Sequence, residues 1–205
     1  LCMRFVNHRN EMLRRESQNI LIERYGFEML RIFKDVTFSL SDWQLMRIQN
    51  SLRKFPCVDS ELEPLLRSSN ATVCILGIKT VADHQVYRFL PQVIALSKHS
   101  NELVRRAVYA AIGTMNVYNE VTLLEDRLSL EEGEDTLVVL LDALAVLGSL
   151  GTVTKVRGFL YSERFRIVQA ALKTIHDCYS QAGAIPDADL HSEITNITSQ
   201  YSLQV

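Results

Sequence analysis

The feature that most constrains this chain is that it repeats itself. Ser69-Asn70-Ala71-Thr72-Val73-Cys74-Ile75-Leu76-Gly77 and Ser100-Asn101-Glu102-Leu103-Val104-Arg105-Arg106-Ala107-Val108 superimpose at an offset of 31 (Ser69 to Ser100). Both open on Ser-Asn, whose short side-chain oxygens accept hydrogen bonds from the free N–H groups of a helix's first turn. Behind the cap, Val73 and Val104, Leu76 and Ala107, and Val81 and Ile112 fall in step on one face of an α-helix. Ile167, Ala170, Ala171 and Ile175 take the places of Val104, Ala107, Val108 and Ile112 at an offset of 63 (Val104 to Ile167). Between them, Glu134-Asp135-Thr136-Leu137 opens a helix that stops near Gly148, the residue type that ends a helix in a left-handed conformation at no cost.

Each long helix follows a shorter amphipathic one, expected at 60–67, 87–97, 120–129 and 152–160. The unit is a helix–turn–helix of roughly 30 residues, repeated four times between 59 and 180, and such a unit buries its apolar face only against its neighbours. Small residues in the second helices (Ala107, Ala110, Ala111, Ala143, Ala145) let adjacent helices approach closely. With 8 Gly and 4 Pro in 205 residues the chain is too poor in turn signals for a β-sandwich. A net charge of −2 gives no electrostatic reason to expect nucleic acid. Cys2, Cys57, Cys74 and Cys178 form no CxxC pair, so reduced thiols in a cytoplasmic protein are expected.

The segment Asn101-Glu102-Leu103-Val104-Arg105-Arg106-Ala107-Val108-Tyr109-Ala110-Ala111-Ile112-Gly113 resembles the second helix of a HEAT repeat of the phycobilin-lyase type. That family's pattern is a polar cap, Val-Arg, Ala in helical register and a terminal Leu-Gly or Ile-Gly; Asn70 and Asn101 stand where it usually carries Asp. The resemblance, over 59–180, implies an all-α, right-handed α-α superhelix (a HEAT-like solenoid) with capping helices at both ends. The expected organisation is an N-terminal long helix and capping hairpin over 1–58, four HEAT-like hairpins over 59–182 and a C-terminal capping helix or tail over 183–205.

Residues 1–34 read as one long helix, with Phe5, Met12, Leu13 and Ile20 apolar and Arg4, Arg9, Arg14 and Arg15 basic. Ser41-Asp42 caps a second helix that Pro56 stops, and Leu190, Ile194, Ile197 and Tyr201 mark a C-terminal helix beyond Gly183 and Pro186. Two readings of the N-terminal arginines stay open. They are the charged outer face of an amphipathic helix, or the cytoplasmic flank of a membrane span preceding Leu1, where Lys and Arg collect. The longest apolar stretch within the chain, 136–146, is broken by Asp142 and is shorter than the roughly 20 residues a span needs.

Residues that carry chemistry do not converge. Gly148 to Lys155 lacks the phosphate-loop spacing and follows a helix, so an inter-repeat turn is expected there. His176 and Cys178 lie about 200° apart on a helix and cannot share a metal. No catalytic, metal or cofactor residue is assigned, and neither a small-molecule substrate nor a nucleic acid is expected. The acidic run from Glu125 to Asp135 reads as a solvated loop or as a landing site for a basic segment. HEAT proteins are mostly scaffolds, so the resemblance implies a non-catalytic protein–protein interaction scaffold that receives a helix or extended peptide. The residues expected to face that partner are Arg105, Arg106, Tyr109, Asp142, Arg166 and Gln169. The alternative class is an enzyme on a HEAT-like frame, of the DNA glycosylase or chromophore lyase type; a glycosylase requires a basic, aromatic-lined groove.

Overall fold

A chain patterned at helical period, with few breakers, has only helices with which to satisfy its backbone. The computed structural model describes residues 4–5, 8–25, 46, 48–50, 52–54 and 59–202, and every regular element among them is helical. By contacts the chain divides into two compact units, Leu1–Ala111 and Ile112–Val205.

The first unit holds α1 (Glu11–Tyr25), α2 (Asp59–Leu66), α3 (Ala71–Asp83), α4 (Leu90–Ala95) and most of α5 (Glu102–Thr114). The expected cap at Asn70 forms, its Oδ1 accepting from Thr72 N at 3.0 Å and Val73 N at 3.4 Å, and Asn101 Oδ1 accepts from Leu103 N at 2.8 Å. The first helix of the second hairpin is not one helix: 3-10 turns at Tyr87–Phe89 and Leu96–Lys98 bracket α4. Helices α2 and α3 meet closely at Gly77, where an added Cβ would lie 2.8 Å from Leu65 Cβ and 3.2 Å from Leu66 N.

The N-terminal helix is shorter than expected. It begins at Glu11, with Asn10 Oδ1 accepting from Leu13 N at 3.2 Å, so Arg4 and Arg9 precede it. Residues 26–34 and most of the expected second helix lie outside the described residues. Of the latter, 46, 48–50 and 52 are helical, and Ile48 and Leu52 are buried. Gln49 and Arg53 bond Asp83 at 2.6 Å and 2.7 Å, joining this segment to the end of α3.

The second unit holds α6 (Val121–Arg127), α7 (Glu134–Leu147), α8 (Leu150–Val156), α9 (Phe165–Ala182) and α10 (Ala188–Ser202), with a 3-10 turn at Arg157–Tyr161. Thr152 Oγ1 bonds Glu125 at 2.8 Å, tying α8 to α6, and Arg157 Nε donates to Glu193 Oε2 at 2.6 Å, tying α10 to that turn. Of the turn expected from Gly148 to Lys155, only Gly148 and Ser149 lie outside helices, because α8 begins at Leu150.

Burial reveals the true register. Val104, Val108 and Ile112 are buried, as are Thr136, Leu140 and Leu144 on α7, and Ile167, Ala171 and Ile175 on α9. The first step, Val104 to Thr136, is 32, and the second, Thr136 to Ile167, is 31. One extra residue before α7 therefore blurs the repeat at 134–148 and produces the offset of 63.

Three helices end the same way. After α3, Val86 N donates to Val81 O and Gln85 N to Ala82 O; after α5, Val117 N donates to Ile112 O and Asn116 N to Gly113 O. These paired bonds need the residue between them in the left-handed region, and Gln85 (φ 53°) and Asn116 (φ 54°) are there. Helix α9 repeats the arrangement with Gly183 at φ 60°. Gly148, however, is extended at φ −68° and ψ 170°, contrary to the left-handed role expected of it. Glycine is required there because a Cβ would lie 2.5 Å from Leu144 O and 3.0 Å from Cys178 Sγ. Among the described residues, no helix is long and apolar enough to cross a membrane.

Candidate docking face

The six residues expected to face a partner have different fates. Arg105 is half-buried and turned back on its own loop, its guanidinium donating to His99 O at 2.9 Å and Ser100 O at 3.1 Å. Arg106 is half-buried beside it. Tyr109 was expected on the surface and is instead fully buried, at 0% exposure. The repeat offset itself explains this: one repeat earlier, at the same register position, stands Ile78, also at 0%. An aromatic hydroxyl made Tyr109 look like surface, but its register position belongs to the core.

Asp142 and Arg166 are committed within the chain. Helix α9 lies along α7, and Arg166 bonds Asp135 at 2.6 Å with Glu134 at 3.7 Å, while Lys173 bonds Asp142 at 2.6 Å. Hydrogen bonding to these carboxylates raises the pKa of Arg166 and of Lys173. Behind this exposed row, Thr174 Oγ1 lies 2.9 Å from Leu141 O, and Gln181 Nε2 donates to Ala145 O at 2.8 Å. Four of the acidic residues are engaged or buried: Glu125 accepts from Thr152, Glu131 is buried, and Glu134 and Asp135 meet Arg166, while Asp126 and Glu132 are exposed.

Gln169 is exposed, on one face of α9. The register shows which face. Positions Glu134, Val138, Leu141, Ala145 and Gly148 of α7 correspond, at the offset of 31, to Phe165, Gln169, Leu172, His176 and Tyr179 of α9. On α7 this face carries the Leu141 and Ala145 carbonyls that α9 caps. On α9 the same face is partly exposed: Phe165 is 52% exposed, Gln169 and His176 are exposed, and Leu172 and Tyr179 are half-buried.

These five positions are spaced by four, three, four and three residues, the 3.5-residue period of a helix–helix seam. Helix α10 supplies the opposite wall of a groove of about 650 Å³, lined by Leu172, His176, Tyr179, Pro186, His191 and Ile194. Ile185, between the lining residues Ala184 and Pro186 in sequence, is 89% exposed. The lining is mainly apolar, with two imidazoles, Lys173, Ser180 and Thr198 among it, an arrangement that can seat an amphipathic helix and orient it by hydrogen bonds.

Sequence reasoning missed this seam because it searched for polar exposure. The signal was present in Phe165, Leu172 and Tyr179, apolar residues seven apart. A second cleft lies between the Arg157–Tyr161 turn and α10. There, hydrogen bonding to Glu193 raises the pKa of Arg157 and of the Tyr161 hydroxyl. Burial raises the thiol pKa of Cys74 and Cys178.

No protein-family model matches the chain, and no curated protein matches it in sequence. Among solved structures it is similar to the crystal structure of an engineered protein determined by the Northeast Structural Genomics Consortium. The TM-score is 0.55 at 13% identity, over 87% of this chain and 95% of that one. An identity this low speaks to the fold alone: an all-α chain whose helices pack in sequence order, as in a helical repeat.

Proposed function

We propose that the protein is a non-catalytic interaction module, a HEAT-like right-handed superhelix closed by terminal helices, that binds a helix along the outer face of α9. The observation that carries this reading is the groove in which Leu172, His176 and Tyr179 of α9 face α10, with Gln169 exposed on the same face of α9. A 3.5-residue seam is the complement of another helix, and an amphipathic helix laid in an apolar groove is a recurring recognition mode. The face expected from sequence therefore contracts to Gln169 and its seam neighbours. Asp142 and Arg166 hold α9 against α7 instead of meeting a partner. We place the module in the cytoplasm, as part of a larger or membrane-associated protein, on the strength of its free cysteines Cys74 and Cys178 and its basic N-terminal segment.

The test is site-specific photocrosslinking in cells, with a benzophenone side chain at Gln169 and, as control, at the exposed Lys79 of α3. The expected result is a discrete polypeptide adduct from position 169 alone that disappears when Leu172→Glu is added. Adducts at equal yield from both positions, or none from 169, would overturn the reading.

A further inference from the structure

We infer that the cleft between the Arg157–Tyr161 turn and α10 is a separate binding site, which takes an extended peptide by a basic side chain seated against Glu193. The site uses a different face of α10 from the groove beside α9, and it stands whether or not that groove is occupied.

The cleft has a volume of about 640 Å³, and Glu193 lines it with a side chain only 9% exposed. An arginine that served only to fasten α10 would grip both carboxylate oxygens in a fork. Here Arg157 Nε and Nη2 both converge on Oε2, each at 2.6 Å. The other oxygen, Oε1, is buried and accepts no hydrogen bond. A buried carboxylate oxygen without a donor is destabilising, and a ligand N–H removes that penalty, a charged one most of all.

The sign of the cleft selects a cation. Its charged lining residues are Arg157 against Asp189 and Glu193, and Asp187 adds its field at Arg157. Arg157 is neutralised by Glu193, so an anion would have to break that pair and sit beside Asp189. Tyr161, 71% exposed, offers its ring at the rim, where a guanidinium or ammonium is attracted to the aromatic face. The Tyr161 hydroxyl bonds the Glu193 carboxylate, and little packing holds the ring. An outward turn of that side chain admits a donor to Oε1.

The rest of the lining indicates what carries the cation. Asp189, Glu193, Asn196 and Gln200 are spaced by four, three and four residues, one face of α10 that borders the cleft for roughly 16.5 Å at 1.5 Å per residue. Asn196 and Gln200 are exposed amides, each with donors and an acceptor, the complement of a peptide group. Carboxylates followed by amides fit a basic side chain followed by open backbone. A helical ligand would bring no such backbone, because its own N–H and C=O groups are already paired. A free amine or guanidine would use only the carboxylate end.

Nuclear magnetic resonance titration of the nitrogen-15-labelled full chain tests this with acetyl-Arg-Ala-Ala-amide, acetyl-Ala-Ala-Ala-amide and methylguanidinium. The arginine peptide should shift the signals of Tyr161, Glu193, Asn196 and Gln200 and saturate with a Kd on the order of 1 mM or tighter. Methylguanidinium should shift Tyr161 and Glu193 alone and bind about tenfold more weakly or worse, and the alanine peptide should shift nothing. Glu193→Gln should weaken the arginine peptide by about tenfold or more, and Asp189→Asn by about threefold. Asp189 is exposed, so its variant keeps the test decisive where Glu193→Gln loosens α10. No shift at these residues in about 20 mM arginine peptide, equal binding of the alanine peptide, or an affinity that neither variant lowers would overturn the inference. Equal affinity for methylguanidinium would overturn the peptide as ligand and leave a site for a free organic cation. Photocrosslinking from Gln169 reads the other face of α10's groove with α9, so the two proposals fail separately.

Discussion

Thr174 reaches across the joint between α9 and α7: its Oγ1 lies 2.9 Å from Leu141 O and 2.8 Å from Ala170 O in its own helix, and the side chain is fully buried. A hydroxyl at this depth is stabilising only while it is bonded. Thr174→Val keeps the shape and removes the donor, so it should cost about 1–2 kcal/mol, a drop of a few degrees in melting temperature. Thr80 is the control. It is equally buried but bonds only Leu76 O within α3, and Thr80→Val should change stability by less than about 0.5 kcal/mol. Thermal unfolding of the two variants decides whether the cross-helix bond or the hydroxyl alone matters.

Gly77 is where α2 and α3 touch. A Cβ there would meet Leu66 N at 3.2 Å, and backbone cannot rotate away as a side-chain tip can. Gly77→Ala should therefore destabilise the chain by about 1–3 kcal/mol, seen as a lower denaturant midpoint. Gly158 has nothing within 4 Å of the same position, and Gly158→Ala should be neutral or slightly stabilising.

Asn116 holds a left-handed conformation at φ 54°. Replacing it by Ala keeps the strain and removes a side-chain type that tolerates it, costing about 1 kcal/mol; Asn116→Gly should stay near wild type. The order Gly, Asn, well above Ala in chemical denaturation is the expected result. Equal stability for Ala and Gly would mean the turn is not held as described.

The Lys173–Asp142 pair gives a pH signature. Hydrogen bonding to Asp142 raises the lysine pKa above its usual 10.5. The stabilisation is therefore fully present below about 10.5 and is lost as pH climbs through the higher folded value. Both side chains are substantially exposed, so solvent screening holds the pair to under about 1 kcal/mol. A double-mutant cycle with Asp142→Asn and Lys173→Met should give a coupling that is constant from pH 6 to 9, shrinks above pH 10 and weakens in high salt. A coupling that grew with pH would contradict the pairing.

The helices were legible because Val73, Val104 and Ile112 recur at a period that only a helix can use, with Asn caps in front of them. Tyr109 was misread although the needed information was present, since Ile78 holds the same place one repeat earlier. Residue chemistry had been weighed ahead of register. Gly148 shows a different limit. The sequence announces that glycine ends α7, but the reason lies in Leu144 O and Cys178 Sγ, and only coordinates place those atoms. Arg166 and Asp135 looked like free surface charges because the extra residue before α7 hid the step that pairs them. The seam on α9 was hidden most deeply. Leu172 and Tyr179 are ordinary core residues by pattern, and only the placement of α10 leaves them half-buried at a groove.

The cross-helix bonds of the second unit have one more consequence. Arg166 to Asp135 spans a sequence separation of 31, Thr174 to Leu141 33, Gln181 to Ala145 36 and Arg157 to Glu193 36. A network of such short reach closes only small loops as it forms, so the search for native contacts is quick. It also divides cooperativity into neighbouring steps. Under stress α10, fastened through Arg157 and Glu193, can peel away while α7 and α9 stay joined. The molecule would then open from its end, as a zipper does, instead of melting at once.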